Sequence, residues 1–179
     1  MPENKRLPND LYALVYGEYA PRLCVDLVVI GPSDKFEVTI YNNLDLSFNI
    51  QGPNGIILSQ RDIPPEIGSW HLPGGTVRKD EALEVAAKRI IKSEAGVEVE
   101  ILGVIGSMEF LNEERYVEIN NKNEKINVHS VSVVLLAKSK NDILKGGSDG
   151  KNIGWFKNQP PNGHTIHIPF LVKHGFLHI

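Results

Sequence analysis

The chain has one cysteine, Cys24, in 179 residues, so no disulfide can close within it and no cysteine-based zinc site can form. Cys24 lies inside an apolar run, Leu23-Cys24-Val25, and reads as a small buried side chain. No continuous apolar stretch of membrane-spanning or signal-peptide length is present, and the polar start Met-Pro-Glu-Asn-Lys-Arg points to a soluble, cytoplasmic protein that does not touch a membrane. Positive charge is not in excess. With a formal net charge of -3 and scattered basic residues, the electrostatic footprint of a nucleic-acid binder is missing, although a small phosphate-bearing ligand needs only local positive charge. Internal repeats and low-complexity tracts are also lacking. The length suits one domain over residues 1–179.

What is there is organised around Trp70 to Val97. An extended apolar piece runs into Pro73-Gly74-Gly75, and that turn opens into a charged, alanine-rich helix ending Glu94-Ala95-Gly96-Val97. The glycines let backbone approach a ligand closely, and the helix presents acids and bases to the same spot. The spacing predicts a helix over about 81–95, with Asp80 as N-cap, Glu81 and Glu84 in the first turn, and Gly96 as the left-handed C-cap.

Before this unit, Leu11 to Tyr19 suggests a short helix, and Leu23 to Ile30 a buried strand interrupted by one acid, Asp26. Alternating polarity from Asp34 to Gly55, broken at Asn42-Asn43, predicts a hairpin. Ile56 to Arg61 reads as another strand, followed by a proline-rich loop to Trp70. After the unit, Val97 to Leu111 and Ile126 to Ala137 have the β-branched content of long strands, and the polar stretch from Asn112 to Lys125 reads as a loop or hairpin tip. A last strand near Asn152 to Phe156 and a short C-terminal helix complete the expectation. The fold class is α+β, with helices packed against a mixed sheet.

Gly75, Glu81, Arg89, Ile91, Glu94, Gly96 and Val97 all fall on the pattern of the Nudix box, and in this the chain resembles the Nudix hydrolase superfamily. The resemblance implies an α/β/α sandwich around a mixed sheet, with an N-terminal extension (about 1–22) and an inserted hairpin (about 34–53). In the family, three box acids at i, i+3 and i+4 share one helix face and hold divalent cations. Here Ile90 and Ser93 replace two of them and only Glu94 is kept.

Nudix members of the GDP-mannose mannosyl hydrolase type also have a non-acidic residue at each of these two positions while keeping the last Glu. These displace the nucleoside diphosphate at sugar C1 with one Mg2+. Similarity to that subgroup places Asp26, Arg61, Arg89 and His129 on catalytic positions, with Asp26, Arg61 and Arg89 also contacting substrate. It places Gly74 (by its carbonyl), Glu94 and Asp149 on Mg2+. Thr76 replaces an arginine of the subgroup, and Gly150 stands where its general base is expected, so the base is missing. The tail histidines match no zinc spacing, but His164 or His167 folding back is the natural replacement. The implied partner is a small nucleotide sugar, and the subgroup's habit implies a homodimer. Two other readings stay open: a pyrophosphohydrolase that recruits Glu109, Glu113 or Glu114, and a catalytically silent nucleotide-binding module.

Overall fold

The computed structural model describes residues 7–41, 45–146 and 152–179. Helix α1 (Asn9–Leu14) continues as a π-helical turn over Val15–Tyr19 and leads into strand β1 (Arg22–Ile30). Strands β2 (Lys35–Tyr41) and β3 (Asp45–Gln51) form a separate two-stranded antiparallel sheet, as the alternation in this stretch predicts. The remaining strands are β4 (Ile56–Gln60), β5 (Trp70–His71), β6 (Gly74–Thr76), β7 (Val99–Ile119), β8 (Lys122–Ser139) and β9 (Ile153–Phe156). They make a mixed sheet with the path β5-β4-β1-β8-β7, to which β6 adds on β1 and β9 on β4. Helix α2 (Leu83–Ala95) covers one face, and α3 (His167–Lys173) with the β2–β3 hairpin covers the other. This is the expected α/β/α sandwich. No helix among the described residues is long and apolar enough to cross a membrane.

Strand β1 is central because its near-continuous apolar run serves both faces. Val25, Leu27 and Val29 pack with Ala86, Ala87, Ile90 and Ile91 of α2, and Val28 and Ile30 pack toward α3 through Leu58, Leu72 and Leu171. It runs parallel to β8 along its whole length. On its other edge it is shared: β4 pairs at Ile30, while β6 pairs over Cys24 to Asp26, with the Leu27 amide donating to the Pro73 carbonyl (2.9 Å) in between. The sheet splits there, and the split puts the Gly74 turn directly beside Asp26.

One expectation needs correction. Asp80 does not cap α2: it sits at φ +60° in the turn that precedes the helix, the cap position is Ala82, and no side chain makes the cap hydrogen bond. Of the two expectations for the polar stretch 112–125, loop or hairpin tip, the second is observed: β7 and β8 run on as a long ribbon to a tight turn at Asn120-Asn121, both at positive φ. Two exposed strands need no apolar alternation, so polarity there was no sign of a loop. Gly96 is left-handed at φ +68°, as its C-cap role requires.

Candidate functional site

Along β1, Arg22, Cys24 and Asp26 project to the face opposite α2, because strand side chains alternate. Asp26 is buried, and its carboxyl lies against the box turn so tightly that a Cβ on Gly74 would sit 1.7 Å from Oδ1. Glycine is required at 74 for this contact. Burial pushes the Asp26 carboxyl up from 3.8 to about 7, against the Ser132 hydroxyl and the Arg22 charge, which favour ionisation.

A raised acid binds its proton in the folded state. The stability that this proton supports is present at low pH and is lost as pH rises from about 4 through about 7. In metal-free protein the Asp26→Asn variant should therefore gain on the wild type by on the order of 3 kcal/mol between pH 4 and pH 8 in urea unfolding. A pH-independent difference between the two would show that the carboxyl is not held protonated.

Three histidines cluster nearby, and one of them, His167, faces this carboxyl. His167 Nδ1 accepts the Leu72 amide (2.9 Å), so the neutral ring carries its proton on Nε2, which faces Asp26 Oδ2 at 3.9 Å. His164 Nδ1 accepts the Ile166 amide (3.2 Å), and its Nε2 faces Glu66 at 4.0 Å. The two rings stack with centroids 4.5 Å apart. Burial lowers both below the ordinary imidazole range, His167 strongly, so both stay neutral. The third, His71, hydrogen-bonds the Leu72 carbonyl through Nδ1 (2.6 Å). Its Nε2 lies 3.4 Å from the Ser59 hydroxyl, which is 3.3 Å from Glu94 Oε2. A polar chain thus links the box acid to the histidines.

On α2 itself the missing acids are accounted for physically. Of the three box positions, Ile90 is buried against Gly75 and the α2-side core, Ser93 is exposed, and Glu94 alone offers a carboxylate. Arg89 grips Glu81 with two short bonds (2.7 and 2.8 Å) and donates to the Thr76 carbonyl (3.1 Å). Glu81 also accepts the Arg78 amide (3.0 Å), so this pair braces the turn between β6 and α2. These bonds, the Arg89 pair foremost, hold the Glu81 carboxyl below its ordinary range.

Arg61 is also buried. Its guanidinium donates to the carbonyls of Ile63, Pro64 and Pro65 (3.3, 3.2 and 2.6 Å), which shapes the proline loop around it, and reaches Glu113 at 3.5 Å. Among the expected site residues, the structure thus brings Asp26, Gly74 and Arg61 to one region, with Arg89 and Glu94 on the helix beside the turn. It does not bring in His129, whose neighbours Val128 and Ser130 face inward. His129 points to the other side and pairs with Glu109 (2.9 Å) near solvent. Asp149 lies outside the described residues.

Sequence reasoning missed Ser59 and His71, which are partners in the β4–β5 register, and Arg22 and Arg115, and it saw Glu113 only as an acid to be recruited. Among the described residues no group of three His, Cys, Asp or Glu side chains converges on a common metal position. One carboxylate together with backbone carbonyls still suits a Mg2+ that keeps several waters and takes its other ligands from substrate phosphates.

Comparison with known proteins agrees with this geometry. The low-salt glycan biosynthesis protein Agl8 of Haloferax volcanii is 37% identical over 82 residues, 44% of this chain and 51% of that protein, so the chain spans about half the length of this relative. The structure of a MutT NUDIX hydrolase from Burkholderia pseudomallei superposes with a TM-score of 0.59 at 21% identity, covering 86% of this chain and 98% of that one. The NUDIX domain of Shewanella oneidensis NrtR, solved with ADP ribose, gives 0.52 at 18% identity over 93% and 96% of the two chains. Both structures share the fold described above. Residues 46–164 match the NUDIX domain family, and with the box, the sandwich and the turn against Asp26 in place, the chain belongs to that family.

Proposed function

We propose that the chain is a Mg2+-dependent hydrolase of a nucleoside diphosphate sugar, of the GDP-mannose mannosyl hydrolase type, in which water attacks sugar C1 and the nucleoside diphosphate leaves. The observation that carries this reading is a box reduced to one acid, Glu94, together with a buried carboxyl, Asp26, packed against the Gly74 turn. Glu94 and the Gly74 carbonyl, with Asp149 as the third expected group, would hold the ion. Bound there, Mg2+ supplies positive charge to the leaving diphosphate.

The chain's own residues do the rest. Asp26, poised near neutrality, takes the proton from the attacking water as its oxygen bonds to C1 and the C1–O bond to the diphosphate breaks. His167 is unsuited to that step in its neutral form, since its Nδ1 is occupied by the Leu72 amide and its Nε2 already bears the proton. Its Nε2 lies beside the Asp26 carboxyl at 3.9 Å without a direct hydrogen bond. Arg61 and Arg89 add positive charge toward the diphosphate, Arg89 while bracing the turn.

Acids beyond the box, which an ordinary pyrophosphohydrolase would need, are engaged elsewhere. Glu109 pairs with His129, Glu114 with Lys125, and Glu113 with three arginines. The name of the Haloferax relative adds support, because glycan synthesis draws on activated sugars.

Turnover of a nucleoside diphosphate sugar panel in 18O-labelled water with Mg2+ tests the reading. Label is expected on the released sugar. Label on phosphate would replace C1 attack by attack at phosphorus, and binding without turnover would leave a nucleotide-binding module.

A further inference from the structure

Glu113 is a single buried carboxylate shared by three arginines. Arg115 Nη2 lies 2.6 Å from Oε1, Arg22 Nη2 3.2 Å from Oε2 and Arg61 Nη2 3.5 Å from Oε1, and the Ser130 hydroxyl donates to Oε2 at 3.3 Å. All four charged side chains are at most 15% exposed. Three fixed positive charges therefore meet one negative charge in a poorly hydrated place. Asp26 and Glu66 are the next carboxylates: Asp26 is felt by Arg22 and Arg61 and Glu66 by Arg61, but neither forms an ion pair with these arginines among the described residues. Buried charge is stable when it is paired, so the surplus calls for an anion. Arg115 Nε is moreover buried without a hydrogen-bond partner. A guanidinium edge with an unused donor is the standard means of binding carboxylate or phosphate.

The position of the cluster says what the anion belongs to. Arg22 and Asp26 stand on the same face of β1, four residues apart, which is roughly 13 Å along a strand. A diphosphate held at the box turn does not itself extend over that distance, but one further ring joined to it does. We propose that Arg22 and Arg115 form a subsite for a second oxyanion on the ligand, a carboxylate or phosphate group separate from the diphosphate at the box, to which Arg61 is left. The assignment of the diphosphate to the box rests on the hydrolase reading above; the anion site itself does not.

The test uses the full chain without metal, so that hydrolysis does not intervene. Inorganic phosphate is titrated while the arginine Nε–Hε resonances are followed by NMR. Saturable shifts of Arg22 and Arg115 are expected, and Arg115→Gln should weaken phosphate binding about tenfold or more, the effect of one charge-assisted contact. Glu94→Gln should leave it unchanged, so a failed hydrolase assignment does not disturb this result.

Three nucleoside diphosphate sugars then compete with the phosphate: one with a neutral hexose, one with the corresponding uronate, and one with a neutral hexose and a ribose phosphate. Stronger displacement by the uronate places the oxyanion on the sugar, and stronger displacement by the ribose phosphate places it on the nucleoside. Equal displacement by all three overturns the ligand assignment. Absence of saturable shifts at these arginines, or undiminished binding by Arg115→Gln, overturns the subsite. The wild-type resonances identify the site even if the variant does not fold.

Discussion

Replacing Glu94 by glutamine lowers Mg2+-dependent turnover of a nucleoside diphosphate sugar by about 10²–10³-fold or more, the range seen when a group acting on transition-state charge is removed. The substitution keeps shape and size, and the amide oxygen still accepts from the Ser59 hydroxyl that lies 3.3 Å from the carboxylate in the wild type. Folding stability is therefore expected to stay within about 1 kcal/mol. What is lost is the negative charge, and neither of the other two box positions replaces it, because Ile90 is buried in the core and Ser93 has no charge. A Nudix helix with three acids spreads its cation binding over several carboxylates; this one rests on a single group. The fall should appear in kcat at saturating metal, together with a higher metal requirement. A Glu94→Gln protein with wild-type kcat would remove Glu94 from the reaction and with it the one-ion reading of the box.

The same helix shows how far the sequence could be read. Residues whose role is set by local spacing were legible: Gly96 at the end of α2, Ile90 on its buried side, Glu81 eight residues before its partner Arg89, and the glycine turn itself. Asp26 was recognisable as a site residue because an acid inside an apolar strand needs a reason to be there. Residues whose role depends on strand register were not. Ser59 meets His71 only because β4 and β5 pair at those positions, and His167 meets Asp26 only because the C-terminal segment docks at Leu72. Neither relation leaves a periodic trace. Arg61 was seen as a diphosphate contact, while its bonds to the carbonyls of Ile63, Pro64 and Pro65 depend on a loop path that proline content alone does not give.

Glu113 shows the difficulty most directly. By alternation it should face away from Phe110, three residues earlier on the same strand. The ladder between β7 and β8 shifts by one between Phe110, opposite Ser130, and Glu113, opposite Val128, and Asn112 takes a positive φ of 54° in that interval. The extra residue turns Glu113 and then Arg115 onto the face of Ser130 and Arg22. A one-residue bulge thus builds the arginine cluster, and nothing in the composition of a polar ribbon announces it.

That geometry makes Glu113→Gln the most destabilising single polar change to be expected here. The carboxylate is the only group at ion-pair distance from Arg22 and Arg61 among the described residues, and it holds Arg115 as well. Glutamine can accept from one or two guanidinium donors but carries no charge, so three cations remain close together and poorly hydrated. Removing one partner of a buried ion pair costs about 3–5 kcal/mol. For a chain of this size that corresponds to a fall in Tm of roughly 10 °C.

The converse change separates charge from packing. Arg115→Gln also deletes a contact with Glu113, yet it reduces the surplus of positive charge, so it should cost far less than Glu113→Gln, and adding phosphate should raise the Tm of Glu113→Gln more than that of Arg115→Gln. Thermal unfolding of the two variants with and without phosphate gives the comparison. Equal losses in both, insensitive to phosphate, would mean that the cluster is held by shape and hydrogen bonding and that its net charge is already balanced. Unequal losses in the stated order, with rescue by an anion, follow only if one carboxylate is holding three arginines in a site built to receive a second negative group.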